Sequence, residues 1–274
     1  MWLGRGLGDL VYVVLPGRRR LAMANLAVAF PDMDEAERRR ICRGSFRHLG
    51  LMFVELCKAQ TVRLEQTLAG ITVVGLEHLE DAMAKHGRVL VLTAHLGNWE
   101  LMALGHQLTG FPTTVVVRPL DADWLDVMAS RLRQMSGIEL VDKRAALRPV
   151  LAALSRGRMV AILLDQNASR REGVFVSFFG RPASTSKSMA VLAVRTRTPI
   201  VPIFIYRERF GEHRGVIHPS FCGDGAGDSE QAVAELTQRC TSTIEAAITV
   251  APDQWLWAHN RWRTKPPSPA VPRR

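Results

Sequence analysis

Residues 89–100 read Val-Leu-Val-Leu-Thr-Ala-His-Leu-Gly-Asn-Trp-Glu, a short apolar run that ends in a polar turn. The apolar run follows Gly87 and is rich in β-branched and aliphatic residues, which is the pattern of a parallel strand covered on both faces. The imidazole of His95 ends this predicted strand, and the carboxylate of Glu100 follows five residues later, where a helical pattern starts. The stretch therefore predicts a buried strand that carries polar side chains to the edge of a sheet.

His95 and Glu100 together resemble an acid/base site. A carboxylate that accepts a hydrogen bond from one imidazole nitrogen fixes the tautomer and leaves the other nitrogen basic. We therefore interpret His95 as a general base and Glu100 as its orienting partner. The alternative is a structural histidine hydrogen-bonded within a turn, because His-x4-Glu also arises by chance.

Strands alternate with helices from about residue 70 onward. The apolar runs predict strands at 71–74, 89–94, 113–118, 138–141, 159–164 and 200–206, with 214–218 as a further candidate. Helical patterns fill 76–86, 98–109, 121–135, 145–156, 184–197 and 229–250. Such alternation with short turns predicts an α/β fold, in which helices cover both faces of a mostly parallel central sheet.

The chain before residue 69 is different, because residues 18–68 read as helical and form an N-terminal extension. Pro31 breaks the pattern, and Asp34 then offers an N-cap for an amphipathic helix of about six turns. We expect three parts: a helical, membrane-associating segment at 1–68, an α/β domain at 69–264 and a disordered tail at 265–274.

Residues 1–15 are markedly apolar, and Arg18-Arg19-Arg20 follow them. No run of about 18 uncharged apolar residues exists, so the sequence predicts no transmembrane helix. Two interpretations remain open for this segment. It is either an interfacial helix with basic residues at the level of the lipid head groups, or a terminal helix docked on its own domain.

The net charge is +10, from 36 Lys and Arg against 26 Asp and Glu. This excess favours anionic partners, and lipid surfaces, acidic proteins and phosphorylated substrates all qualify. We expect no nucleic-acid partner, since no nucleic-acid motif is present. The histidines and cysteines show no metal-ligand spacing, and no phosphate-binding glycine motif follows a strand, so we expect neither a metal nor a nucleotide cofactor.

Three predicted strands end in polar residues: His95, Asp165 and Arg118. In parallel sheets the site lies outside the carboxyl ends of the strands. We therefore expect these three side chains to converge. Gly97 and Asn98, in the turn after His95, are candidate donors to an oxyanion, although Asn98 also fits the role of a helix N-cap.

Several blocks of the chain resemble the bacterial lipid A biosynthesis acyltransferases, the late lauroyl/myristoyl enzymes within the lysophospholipid acyltransferase-like superfamily. The likeness runs from about residue 18 to 266, and its blocks keep their order along the chain. They are Asn-Leu-Ala-Val-Ala-Phe-Pro at 25–31, His-Leu-Gly-Asn-Trp-Glu at 95–100, the segment 117–133, the segments 164–167 and 173–183, and the tryptophan-rich stretch 252–266.

The resemblance implies a glycerolipid acyltransferase-like fold with His95 as general base and Glu100 as its partner. It also implies substrate-binding roles for Asn98, Arg118, Arg131, Asp165 and Gln166. Arg131 would hold a phosphate through its guanidinium fork, and its alternative is a solvated helix residue. The alternative for Asp165 is capping of the loop that follows it.

The function implied is transfer of a fatty acyl group from an acyl thioester, either acyl carrier protein or coenzyme A, to a hydroxyl of a membrane glycolipid such as a lipid A precursor. The implied location is the cytoplasmic face of the bacterial inner membrane, with the protein peripheral or anchored by its N-terminus. Two alternatives remain: acylation of a mannoside lipid, aminolipid or glycerolipid, and a non-catalytic basic protein that binds membranes.

Overall fold

The computed structural model describes residues 1–102, 104, 106–117, 123–223 and 229–267. The helices within these ranges are α1 (Trp2–Val14), α2 (Pro16–Ala29), α3 (Glu35–Ala59), α4 (Leu64–Leu68), α5 (Leu76–His86), α6 (Trp99–Met102), α7 (His106–Thr109), α8 (Asp123–Met135), α9 (Leu147–Ser155), α10 (Ser188–Thr196) and α11 (Glu230–Val250). The strands are β1 (Ile71–Val74), β2 (Val89–Thr93), β3 (Thr113–Val117), β4 (Glu139–Asp142), β5 (Met159–Leu163), β6 (Gly173–Phe178), β7 (Arg181–Ser186), β8 (Ile200–Arg209) and β9 (Glu212–Ile217).

The central sheet has the strand order β1-β9-β8-β2-β5-β3-β4. Its neighbours pair in parallel except for β8 and β9, which form an antiparallel pair. Helices flank both sides of this sheet, so the predicted α/β class and the mostly parallel sheet are confirmed. The strands β2 and β5 lie at its centre and carry the first two of the predicted site residues.

Successive side chains of β2 point to opposite faces of the sheet, so they pack into two separate parts of the core. Leu90 and Leu92 point into a large cluster that also contains residues of α2, α3, α9, α10 and α11. Val89 and Val91 point the opposite way, into a smaller cluster with α5. Because both faces are covered, every residue of β2 is buried, as the continuous apolar run predicted.

The N-terminal helices form where the sequence predicted helix. The side chain of Asp34 caps α3 by accepting a hydrogen bond from the backbone N–H of Glu37 at 2.8 Å. Helix α1 lies against α3 with two glycines, Gly4 and Gly8, at the contact. A Cβ atom on Gly8 would collide with the backbone of Phe46 and Arg47, so this close crossing requires a glycine. The domain boundary at residue 68 remains a prediction.

The prediction was wrong in the segment 173–197. The helix expected from residue 184 begins only at Ser188, and the preceding residues form β7, which pairs antiparallel with β6 in a separate two-stranded sheet. Strand β7 ends in Ala-Ser-Thr-Ser and has no apolar alternation, so its conformation depends on its partners rather than on its own pattern. Likewise, the helix expected over 98–109 is replaced by the two short helices α6 and α7.

Candidate active site

His95 and Asp165 form a hydrogen-bonded pair at the edge of the sheet. The strands β2 and β5 pair in parallel with Thr93 opposite Leu163, so the two chains leave the sheet side by side. Two residues further along each chain, His95 Nδ1 lies 2.8 Å from Asp165 Oδ1. The register of two neighbouring strands therefore places the imidazole and the carboxylate together.

The carboxylate of Asp165 is almost fully buried and remains charged. Its second oxygen, Oδ2, accepts hydrogen bonds from the backbone N–H of His95 at 3.0 Å and from Trp255 Nε1 at 2.8 Å. Burial alone would raise the pKa of Asp165, but the charge of His95 and these hydrogen bonds outweigh it and lower the pKa to about 2. A carboxylate that stays ionised is a strong acceptor for the imidazole N–H.

This pairing determines which nitrogen of His95 is basic. An ionised carboxylate only accepts hydrogen bonds, so Nδ1 carries the proton and Nε2 presents its lone pair. Nε2 faces the exposed side chain of Gln166, whose Nε2 lies 3.2 Å away. The ring of Trp99 contacts the imidazole edge-on, and the His95 side chain is 20% exposed. The site can therefore accept a proton from a group that approaches from solvent and displaces Gln166.

Glu100 does not contact His95 in the structure, contrary to the pairing that we expected. Its two carboxylate oxygens accept hydrogen bonds from the guanidinium of Arg133, at 2.8 and 3.0 Å. Both side chains are buried, between α6 and α8. The physical reason is the parallel sheet, because the end of β5 brings Asp165 closer to the imidazole than the helix that begins after His95 can bring Glu100.

Asn98 lies beneath the turn rather than on the exposed side of His95. Its side chain is buried, its Nδ2 donates to Glu55 Oε2 at 2.8 Å, and its Oδ1 accepts from the N–H of Leu101. Glu55 in turn forms a buried ion pair with Arg207 at 2.6 Å. Asn98 thus stabilises the turn and the start of α6, which is the alternative that the sequence left open.

The backbone of the turn is also committed. Gly97 has φ +60°, and a Cβ atom there would collide with the carbonyl oxygen of Ile205. The N–H of Gly97 donates to the carbonyl of Gln254 at 3.1 Å, so it is not free to bind an oxyanion as we expected. Of the residues with a predicted substrate-binding role, Gln166 is the one whose side-chain amide faces the exposed side of the imidazole.

Of the two predicted arginines, Arg131 is not among the hydrogen-bond partners of His95. Arg131 is exposed on α8, whereas Arg133, two residues later, is buried against Glu100. Arg118 lies outside the described residues. A signal for Arg133 was present in the sequence, because Ala129, Leu132, Arg133 and Ser136 follow helical spacing and are all buried. An arginine on such a stripe requires a buried partner, and Glu100 is that partner.

Trp255 is the site residue that sequence reasoning missed. The sequence placed it in an aromatic, basic stretch without a contact, since no local pattern tells which distant carboxylate an indole N–H will reach. The segment after α11 returns to the site: Trp255 pairs with Leu96 in an isolated β-bridge, and the N–H of Leu256 donates to the carbonyl of His95 at 3.2 Å.

A small apolar cavity lies beneath α6, on the opposite side of the sheet from the large core cluster. Its volume is about 70 Å³, and Val91, Met102, Val115 and Ala161 are among its lining residues. Val91 lies on β2, four residues before His95. No group of three or more metal-binding side chains occurs within the described part of the chain.

Comparison with known proteins places these features in a family. The sequence pattern of the family described as bacterial lipid A biosynthesis acyltransferase matches residues 2–264. The lipid A biosynthesis lauroyltransferase of Escherichia coli (strain K12) is 29% identical over 96% of this chain and 85% of its own length. The palmitoleoyltransferase of the same organism is 28% identical over 97% of this chain and 85% of its own length.

A relative with a different name is also similar. The phosphatidylinositol mannoside acyltransferase of Mycobacterium tuberculosis (strain H37Rv) is 29% identical over 69% of this chain and 58% of its own length. The similarity to enzymes with two kinds of glycolipid in their names is consistent with a shared acyl-transfer site.

The buried Glu100–Arg133 pair predicts a large stability effect. Glu100→Ala leaves the Arg133 guanidinium buried without its carboxylate, and we expect a loss of about 3–5 kcal/mol in the free energy of unfolding. The double variant Glu100→Ala/Arg133→Met should lose less than the sum of the two single variants, because it leaves no unpaired charge. Urea denaturation of the four proteins measures both effects. Strictly additive losses would contradict a direct ion pair.

Proposed function

Because the chain belongs to the bacterial lipid A biosynthesis acyltransferase family and is an acyltransferase, we propose that it transfers a fatty acyl group from an acyl thioester to a hydroxyl of a membrane glycolipid, with His95 as general base. The observation that carries the proposal is the paired imidazole: Nδ1 is bound to buried Asp165, and Nε2 faces the exposed side of the site. A base held in one tautomer at the edge of a sheet is what hydroxyl activation requires.

The proposed reaction moves one proton out and back. Nε2 of His95 accepts the proton of the acceptor hydroxyl. At the same time, the oxygen of that hydroxyl attacks the carbonyl carbon of the thioester. The tetrahedral intermediate then collapses, the C–S bond breaks, and the imidazolium returns the proton to the leaving thiolate. Asp165 stays ionised throughout and stabilises the imidazolium, a role that its three hydrogen bonds and low pKa support.

We propose that Gln166, rather than Gly97 or Asn98, donates the hydrogen bond that stabilises the developing oxyanion. The N–H of Gly97 and the side chain of Asn98 already have partners. The amide of Gln166 is exposed and lies 3.2 Å from His95 Nε2, where the reacting atoms would meet. An amide donor displaced by the acceptor hydroxyl would remain close enough to bind the thioester oxygen.

The apolar cavity under α6 supports a fatty acyl group. Its walls expose mainly aliphatic side chains from β2, β3, β5 and β9, and it lies along the strand that ends at His95. An acyl chain whose carbonyl lies beside Nε2 would extend toward this cavity, which Met102 helps to line. Burial of methylene groups there would contribute about 0.8 kcal/mol each to donor binding.

The acceptor of the proposed reaction is a lipid A precursor. Two relatives that match nearly the whole chain are named for lipid A biosynthesis. Acylation of a mannoside lipid is the second candidate, and the mannoside acyltransferase that matches 69% of the chain favours it. Both candidates present a hydroxyl to His95, so the same base serves either acceptor.

We further propose that α1 lies on the membrane surface. Its contact with α3 uses the glycine face, and the opposite face exposes apolar side chains, among them Trp2 at 80% and Leu3 at 74%. The Arg18-Arg19-Arg20 cluster begins α2 directly after this face. Apolar exposure beside a basic cluster is typical of helices that bind anionic lipid surfaces. None of the described helices is long and apolar enough to cross a bilayer.

The basic cluster also lies on the side of the molecule that carries the site. Arg18 Nη1 donates to the carbonyl of Ala258 at 3.3 Å, and the next residue, His259, accepts a hydrogen bond from the N–H of Asn167. Asn167 directly follows Gln166. A membrane that contacts α1 and Arg18 would therefore lie close to the exposed side of His95. A lipid acceptor would then reach His95 without leaving the membrane surface completely.

We expect His95→Ala and Asp165→Asn each to lower acyl transfer by about 100-fold or more, since one removes the base and the other its ionised partner. Transfer to a lipid A precursor is measured by mass spectrometry, with acyl carrier protein and coenzyme A donors in parallel. The control is His86→Ala, an exposed histidine at the end of α5. Retained turnover in His95→Ala, with thermal unfolding unchanged, would contradict the mechanism.

The membrane proposal is tested by co-sedimentation with vesicles that contain phosphatidylglycerol. Trp2→Ser/Leu3→Ser should weaken binding about tenfold or more, because burial of each large apolar side chain contributes about 1.5–3 kcal/mol. Leu147→Ser is the matched control, since Leu147 is an exposed leucine on α9. Equal binding by the double variant and the wild type would rule out α1 as the membrane contact.

A further inference from the structure

We propose that Trp255 is a positioning residue for acyl transfer, because its indole N–H fixes the Asp165 carboxylate against His95. The inference rests on the proposed function of His95 as general base. It concerns a residue whose ring does not reach the reacting atoms and acts through Asp165 alone.

The two oxygens of Asp165 have different tasks. Oδ1 accepts the hydrogen bond from the His95 ring at 2.8 Å. Oδ2 accepts two others, from the backbone N–H of His95 at 3.0 Å and from Trp255 Nε1 at 2.8 Å. Without the indole, Oδ2 would keep only the hydrogen bond from the backbone N–H of His95. The carboxylate would then be free to rotate away from Nδ1.

Trp255 is itself held rigidly on the turn that carries His95. Its backbone pairs with Leu96 in a β-bridge. Its two neighbours form further hydrogen bonds to the turn: the N–H of Leu256 donates to the carbonyl of His95, and the N–H of Gly97 donates to the carbonyl of Gln254. The ring packs edge-on against Trp257 and Phe178 at centroid distances of 4.6 and 5.7 Å. The donor, its acceptor and the imidazole are therefore parts of one fixed unit.

The same C-terminal segment supplies the local charge. Arg261 is fully buried, lies over the ring of Phe178, and donates to the carbonyl of Ser184 and to Thr185 Oγ1. It forms no ion pair with a carboxylate of the described residues. Burial lowers the pKa of Arg261 to about 10, and the charge of Asp165 opposes that shift. Arg261 therefore stays positive and favours the ionised form of Asp165.

Two titratable or charged groups, His259 and Arg261, act on the His95–Asp165 pair, and two more, Arg18 and Glu245, act on those two. Burial lowers the pKa of His259 to about 4, so this imidazole is neutral near pH 7, in keeping with its Nε2 accepting from Asn167. Arg261 keeps its charge at that pH, and the guanidinium of Arg18 helps to lower the pKa of His259. Burial raises the pKa of Glu245, which interacts with Arg261. These groups are the same in Trp255→Phe and in the wild type. A change in the pH dependence of Trp255→Phe therefore reports the loss of the indole N–H.

The experiment compares Trp255→Phe with Trp257→Phe. Both tryptophans are buried in the same segment, and each donates one indole hydrogen bond, Trp257 to the carbonyl of Pro252. We expect similar losses in thermal stability. For Trp255→Phe, kcat should fall about tenfold or more with KM unchanged, because a hydrogen bond to a charged group is lost at the catalytic pair. For Trp257→Phe, kcat should remain near that of the wild type.

The pH profile separates positioning from general destabilisation. A carboxylate that turns away from Nδ1 stabilises the imidazolium less, so the acidic limb of kcat/KM for Trp255→Phe should move to lower pH. The limb for Trp257→Phe should not move. Equal effects of the two substitutions in an active wild-type background would overturn the inference, whereas a wild type without acyl transfer would overturn the proposed function itself.

A second measurement does not need Trp255→Phe to fold. In protein labelled with ¹⁵N at tryptophan, Asp165→Asn should move one buried indole N–H signal upfield, because a neutral amide oxygen is a weaker acceptor than a carboxylate. The signal of Trp257, assigned by its loss in Trp257→Phe, should stay in place. If no buried indole signal moves, Trp255 does not bind Asp165 and the inference fails.

Discussion

The buried carboxylate of Asp165 accepts three hydrogen bonds, from the ring and the backbone of His95 and from the indole of Trp255. An unpaired carboxylate in this position would be costly, so these donors must be present for the fold to be stable. The same donors hold the imidazole in one orientation. The requirement that a buried charge be satisfied thus links the stability of the sheet edge to the chemistry proposed for it.

The architecture brings this carboxylate and its donors together from three distant parts of the chain. Strands β2 and β5 deliver His95 and Asp165 through their parallel register, and the segment after α11 delivers Trp255. Beneath the turn, Glu55 and Arg207 form a second buried pair that anchors it to α3 and β8. The site is therefore built on regular elements, and the exposed group beside the base is the flexible amide of Gln166.

The sequence predicted the sheet because apolar runs at the period of buried strands leave little choice of structure. It also placed His95 and Asp165 correctly at the ends of two strands. It did not predict the partner of His95, because a motif six residues long cannot show that β5 lies beside β2. Glu100 was closer in sequence but turned toward Arg133, and Trp255 lies 90 residues from its acceptor. Contacts of this range depend on strand order, which periodicity does not encode.

The central claim is that Asp165 fixes the tautomer of His95. Nuclear magnetic resonance of protein labelled with ¹⁵N at histidine tests it most directly, at a pH where the imidazole is neutral. We expect a proton on Nδ1, an unprotonated Nε2, and loss of this preference in Asp165→Asn. A proton on Nε2, or a tautomer that Asp165→Asn leaves unchanged, would contradict it.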